Sequence, residues 1–183
     1  QSILMARGGL IDEQQAWQLM HNGFRLARES PHNQSLTEAA INIHRDKHYL
    51  RVYWTGAAIA LIADFNLRKH SSGKRTLGSV LKQFKDCCMS DNRQWTAKQM
   101  MSKLDQLAGS SIFIPLYQKY SHSKQFPNLK NIYRQLGIKV KHNYITLSTK
   151  HGKSKLRRQI TNSKAKTTIP DNPDWRENGR DEF

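Results

Sequence analysis

Histidines at helical spacing are the first residues of this chain that could do chemistry. The chain has 183 residues and eight histidines. On a helix, His44 and His48 would share one face, where two imidazoles can bind zinc. A zinc peptidase helix would also carry a glutamate directly after the first histidine, to act as general base, but Arg45 stands there. This pattern favours surface or capping roles for the pair over metal binding.

The two cysteines, Cys87 and Cys88, are neighbours in the sequence. Adjacent cysteines seldom satisfy disulfide geometry, so we expect no covalent framework. The lack of C-x-x-C spacing favours a buried helix face over a redox site. The chain also lacks a P-loop, a G-x-G-x-x-G fingerprint and a G-x-S-x-G nucleophile motif. The residues by themselves therefore show no complete catalytic constellation.

Positive charge is concentrated in the last third of the chain. Residues 106–170 hold 13 basic side chains and no acidic ones. Such a run could bind nucleic acid by releasing counterions from the phosphate backbone. Aromatic residues lie between these cations, but at spacings that core packing explains equally well. Because no reader motif accompanies the charge, a solvated surface is favoured, and a binding module for nucleic acid or an acidic partner is the alternative function.

The elements that would position these residues are indicated by capping signals and apolar periodicity. Asp12, Ser35, Thr76 and Thr96 each stand where a side chain can cap the start of a helix. The run 52–70 is apolar on most sides, which is typical of a helix buried at the centre of a protein. The sequence therefore predicts an all-α bundle of about six or seven helices.

The composition, with 37% hydrophobic residues, is sufficient for one packed domain and a tail. The longest apolar stretch, 55–62, is far shorter than the roughly 20 residues of a membrane helix, so we expect no membrane span. Residues 1–137 are predicted to form a helical lobe, and 138–183 a basic extension. Within the extension, the partial alternation of 139–147 predicts one short strand. The stretch 150–168 has few large apolar groups and is predicted to be a mobile tail or an edge element.

The central run contains a more specific pattern of residues. Tyr53 and Gly56 open a long apolar helix, Asp64 and Arg68 follow on it, and a glycine-lysine turn leads into the next helix. This order resembles the C-terminal part of the glycyl aminopeptidase family of zinc metallopeptidases. The resemblance covers about residues 3–140. It also includes Arg7-Gly8-Gly9-Leu10, Pro31, Ser35-Leu36, Glu38-Ala39, Gly109, Phe113, Pro127 and Gly137.

The resemblance implies that this region is the helical lobe of a thermolysin-like catalytic domain, beside a zinc site built mostly from the preceding segment. It implies that Tyr53 donates a hydrogen bond to the oxyanion of the tetrahedral intermediate. A phenol keeps its proton at neutral pH, and such a donor is worth roughly 10²- to 10³-fold in rate when preorganised. The alternative is an aromatic residue at a helix start whose hydroxyl simply finds a partner.

Two further features of the helix follow from the residue types and spacing. Gly56 would let the helix pack closely or let a substrate approach. Asp64 and Arg68, four residues apart, would pair on one helix face in a structural role.

The chain departs from the family in lacking the zinc ligands. The H-E-x-x-H helix and the later carboxylate are missing, and in the family they would precede Gln1. Because the chain starts with Gln1 and not methionine, we expect a fragment that is inactive by itself, with zinc bound in the intact protein. The expected partners are the N-terminal zinc-bearing part and a peptide substrate. Exposure of the lobe face predicts self-association.

Overall fold

The polypeptide folds mainly into α-helices, which confirms the predicted all-α class. The computed structural model describes residues 1–31, 33–89 and 93–161. These residues form α1 (Ser2–Arg7), α2 (Glu13–Glu29), α3 (Leu36–Ile41), α4 (Ile43–Asp46), α5 (Tyr49–His70), α6 (Leu77–Cys88), α7 (Ala97–Ala108), α8 (Phe113–Tyr120), α9 (Lys130–Leu136), β1 (Ile138–Lys141), β2 (Tyr144–Leu147) and α10 (His151–Thr161). The ten helices of the described residues exceed the number predicted, because α1 and α4 are too short to show periodicity and α10 was predicted as a tail.

Four helices start at the predicted capping residues. Asp12 accepts a hydrogen bond from the Gln15 backbone N–H at 2.7 Å, and the Gln15 side chain accepts from the Asp12 N–H at 3.0 Å. The same reciprocal pair is formed by Ser35 with Glu38, Thr76 with Ser79, and Thr96 with Gln99. Each of these caps satisfies backbone N–H groups that the helix itself cannot bond, and is worth about 1 kcal/mol.

Helix α5 is the central element, as its apolar sequence predicted. It packs against α2 along one side and against α3, α4, α6 and α8 elsewhere. The buried contacts between α2 and α5 come from large side chains of both helices, among them Trp17, Met20, Phe24, Leu61, Ile62 and Phe65. A second cluster joins the C-terminal part of α5 to α6, α7 and α8 and includes Leu67, Val80, Phe84, Leu104 and Phe113.

The predicted ion pair between Asp64 and Arg68 is present on α5. The Arg68 Nε lies 2.8 Å from Asp64 Oδ2, and both residues are buried. The other carboxylate oxygen of Asp64 accepts the Leu77 N–H at 2.7 Å, at the first residue of α6. The pair therefore connects the end of one helix to the start of the next, which is a structural role.

The predicted single strand over 139–147 is wrong in its topology, because the segment forms an antiparallel hairpin. Strands β1 and β2 pair with Lys139 opposite Thr146 and Lys141 opposite Tyr144. The turn residues His142 and Asn143 both have positive φ, 46° and 66°. A two-residue turn of this kind reverses the chain within a run whose alternation resembles one strand.

The predicted mobile tail from Lys150 is also wrong for residues 151–161, which form α10. Three contacts of Arg157 explain why the helix is ordered. Its guanidinium bonds Glu13 of α2 with Nε 3.0 Å from Oε1, and donates to the Leu136 carbonyl at 2.9 Å and the Ser148 carbonyl at 3.1 Å. Ile160 adds apolar burial. Residues 162–168 of the predicted tail lie outside the described residues.

A buried histidine lies on the core side of α2. His21 Nδ1 is 3.3 Å from the hydroxyl of Tyr133 on α9, and His21 Nε2 has no hydrogen-bond partner among the described residues. Burial lowers the pKa of His21, and the nearby Arg28 and Arg25 lower it further. Burial raises the pKa of Tyr133, so its hydroxyl keeps its proton and can donate to the neutral imidazole.

The lowered pKa of His21 predicts a loss of stability in acid. The unfolded chain takes up the proton at the ordinary pKa of 6.5, whereas the folded chain does so only at lower pH. The free energy of unfolding should therefore be constant for this group above pH 6.5 and fall as the pH drops towards the folded pKa. His21→Gln, which retains a polar group but does not titrate, should have a shallower decline in urea unfolding series. Equal slopes for both proteins would contradict this prediction.

Candidate functional site

Tyr53, the predicted oxyanion donor, lies on an exposed face of α5. Its side chain is 58% exposed. Its ring contacts Trp54, but its hydroxyl makes no hydrogen bond to any described residue. The opposite face of the same helix is buried, with Thr55, Ala58 and Ile62 in contact with the interior. The phenol is therefore available to a group from outside the described residues.

The ring of Tyr53 contacts the ring of Trp54, the next residue of α5. The two ring centroids are 5.1 Å apart with the planes at 89°. Trp54 also contacts Phe24 of α2 edge to face, at 5.9 Å. A Cβ on Gly23 would lie 2.2 Å from the Trp54 ring, so only glycine allows this approach of α2 to α5. Tyr53 thus packs against a side chain that is itself fixed in the main helix interface.

Gly56 lies one turn after Tyr53 and is exposed. A Cβ built there would meet nothing within 4 Å. Of the two roles predicted for this glycine, close packing of the helix does not apply to the described residues. The approach of a substrate stays a prediction.

Gly56→Ala separates these two roles in one experiment. Glycine in a helix interior is less stable than alanine by roughly 0.5–1 kcal/mol, so the variant should be slightly more stable in urea unfolding. If a peptide backbone approaches at Gly56, the same variant of the intact protein should have a higher KM. If Gly56→Ala lowers the stability, the space beside Gly56 is needed for close packing. If its KM is unchanged, Gly56 has no part in substrate binding.

Other exposed apolar residues lie on the Tyr53 face of α5 or on α3, a helix that contacts α5. Tyr49 precedes Tyr53 by one turn, Leu50 is its neighbour, and Ile41 lies on the adjoining α3; all three are exposed. The Tyr49 hydroxyl is 3.0 Å from His44 Nδ1. Sequence reasoning did not single out Tyr49, although its spacing of four from Tyr53 is a signal that could have found it.

The two histidines that suggested a metal pair do not share a helix face. His44 belongs to α4, whereas His48 is the residue before α5. Lys47 between them has a φ of 51°, which breaks the helix. The described ranges contain no group of three or more histidine, cysteine, aspartate or glutamate residues that could hold a metal ion.

The two cysteines are bonded to each other, although adjacent cysteines seldom satisfy disulfide geometry. They are the last two residues of α6, and a bond between neighbours closes no loop of the chain. The predicted buried helix face is wrong for Cys87, which is exposed, since Phe84 supplies the buried contact of this turn. The pair borders a cavity of about 700 Å³ between α6 and α7, lined also by Arg93, Trp95 and Lys98, and Tyr53 is not part of it.

Comparison of the chain with protein-family models, curated proteins and solved structures gives no match. Among the described residues, none of the helices has both the length and the apolar character needed to cross a membrane. A functional assignment therefore rests on the residues of α5 and on the resemblance of their order to the glycyl aminopeptidase family.

Proposed function

We propose that this chain is the C-terminal helical lobe of a zinc metallo-aminopeptidase, which hydrolyses the N-terminal peptide bond of its substrate. The observation that supports the proposal most strongly is the hydroxyl of Tyr53, exposed and without a bonding partner among the described residues, on a helix whose other face is buried. When bound, zinc would supply an activated water molecule for attack on the carbonyl. The described residues contain no group of three or more candidate ligands, and the proposal assigns the lobe a role through Tyr53.

The contribution assigned to Tyr53 is the stabilisation of negative charge on the carbonyl oxygen. A donor aids catalysis most when its position is fixed before the charge develops. The Tyr53 ring contacts Trp54 edge to face, and this contact does not use the Tyr53 hydroxyl. Such an arrangement leaves the phenolic O–H free to donate to a substrate.

The exposed apolar residues beside Tyr53 are assigned to the contact with the N-terminal zinc-bearing part of the same protein. Exposed apolar groups that lie together often mark an interaction surface. Ile41, Tyr49 and Leu50 would be covered there, and Gly56 would leave room for the peptide backbone. In the isolated chain the same apolar side chains are exposed to solvent. We therefore predict that the isolated chain associates with itself through them.

The test is an assay of the intact protein for zinc and for N-terminal hydrolysis. We expect bound zinc, release of the first residue from a peptide with a free amine, and no release from the same peptide after N-acetylation. Removal of zinc with a chelator should stop the reaction, and zinc addition should restore it. Equal cleavage of both peptides would contradict an aminopeptidase, and activity that survives full zinc removal would contradict the metal mechanism.

A further inference from the structure

We propose that the outer face of the β1–β2 hairpin binds single-stranded nucleic acid, with Tyr144 stacking on a base and Lys139 and Lys141 contacting phosphates. This is independent of the proposed peptidase role, which involves α5. It concerns the basic last third of the chain, where the sequence shows positive charge but no recognised nucleic-acid-binding motif. The hairpin supplies the arrangement that the sequence did not show.

The register of the hairpin places these side chains on one surface. Side chains alternate along a strand, and directly paired residues lie on the same face. Lys139 opposite Thr146 and Lys141 opposite Tyr144 therefore share a face, and all four are exposed. The two lysines are separated by about 7 Å along β1. Successive phosphates of an extended single-stranded nucleic acid are separated by a similar distance.

Helix α2 holds the free edge of β2 through backbone hydrogen bonds, and the buried side chain of Ile145 marks the inner face of the hairpin. Ile145 is buried, its carbonyl accepts from the Gln14 side chain at 2.6 Å, and its N–H donates to the Gln18 side chain at 2.9 Å. Gln18 also donates to the Asn143 carbonyl in the turn at 2.9 Å. Anchoring of the backbone leaves the outer side chains free for a ligand.

Tyr144 distinguishes this surface from a merely charged one. Its side chain is 73% exposed, and its hydroxyl makes no hydrogen bond to a described residue. An exposed aromatic ring opposite Lys141 gains little from folding, whereas such a ring can stack on the face of any unpaired base. The aromatic ring favours a single strand over a duplex, whose bases are already stacked.

Further cations belong to the elements that flank the hairpin in the sequence. Lys153 of α10 adjoins the start of β1, since its Cβ would lie 3.0 Å from a Cβ at Gly137. Arg134, Lys150, Lys155 and Arg158 are other exposed cations of the residues on either side of the hairpin. Glu13, the acidic residue of α2 that reaches α10, is bonded to Arg157. The surface is therefore attractive to a polyanion.

The experiment measures binding of a fluorescein-labelled oligothymidylate by anisotropy over a series of salt concentrations. Tyr144→Ala should lower the affinity roughly 5- to 150-fold, the effect of losing one stacked base. Tyr144→Phe keeps the ring and should bind like the wild type. Replacing both Lys139 and Lys141 by alanine should lower the slope of log K against log salt by about 1.4, the value for two phosphate contacts in a single strand.

The matched control replaces Lys85 and Lys98, exposed cations on α6 and α7, by alanine, which removes equal charge away from the hairpin. An equal loss of slope in both double variants would overturn the proposal, because it would show a general charge effect. So would unchanged affinity in Tyr144→Ala, or no binding at low salt. Tyr144-dependent binding to phosphatidylserine vesicles, without binding of the oligonucleotide, would assign the face to a lipid surface and overturn the proposal too.

Discussion

Tyr53→Phe in the intact protein is expected to lower kcat roughly 10²- to 10³-fold, the usual effect of removing one preorganised oxyanion donor. The substitution removes only the hydroxyl, and the ring can keep its contact with Trp54. Zinc content and stability should be unchanged, since the hydroxyl bonds no described residue. Steady-state kinetics on a peptide with a free N-terminus, together with metal analysis, measure these quantities.

Tyr49→Phe is the matched control for this result. Tyr49 stands one turn before Tyr53 on α5, but its hydroxyl is already bonded to His44. Its loss should leave kcat nearly unchanged. Full turnover in Tyr53→Phe, or equal losses in both variants, would remove Tyr53 from the catalytic machinery and leave it as a surface aromatic.

Arg157→Leu is expected to destabilise the fold by up to about 3 kcal/mol, the lower end of the range for a fully buried ion pair, because the Glu13 that is left without its partner is partly exposed. Arg157 is only 2% exposed and bonds Glu13 of α2. It also donates to the carbonyls of Leu136 and Ser148, which would lose their partner. Urea unfolding followed by far-UV circular dichroism should show a lower midpoint.

Two further variants distinguish the buried pair from a general effect on α10. Arg158→Leu removes the same charge from the next position, which is exposed, and should cost less than about 0.5 kcal/mol. Adding Glu13→Leu to Arg157→Leu should recover part of the loss, since no unpaired charge remains. The account fails if Arg157→Leu costs no more than Arg158→Leu.

The helix starts could be predicted from the sequence because caps are local. A capping box involves residues three apart, and Asp12 and Thr96 form theirs as the spacing indicates. Helix ends were equally local, since Gly109 and Gly137 follow α7 and α9 with positive φ values of 63° and 68°. The apolar run of α5 predicted its central position for a similar reason, because a helix that is apolar on most sides must be covered.

The C-terminal extension could not be predicted, because its order depends on distant residues. The composition of α10 offers little apolar surface, and its burial depends on the bond between Arg157 and Glu13, 144 residues apart in sequence. The hairpin depends on a turn at His142 and Asn143, within a run that alternates like one strand. Neither the composition nor the hydrophobic periodicity of the sequence reveals a contact between distant residues or the position of such a turn.

The residues of the candidate site come from the family resemblance and stay a prediction, whereas their geometry comes from the structure. The family resemblance pointed to Tyr53 and Gly56, and helical spacing placed them on neighbouring turns. The approach of Trp54 to α2 depends on Gly23, which lies on another helix and which no local pattern reveals. Likewise, the open space at Gly56 is a property of the packed structure.

The central claim, that the chain is one lobe of a zinc aminopeptidase, is tested most directly by sequencing the reading frame upstream of Gln1. We predict an H-E-x-x-H helix and a later glutamate encoded there, which together supply the metal ligands and the general base. A reading frame that starts close to Gln1, or that continues upstream without those residues, would contradict the claim.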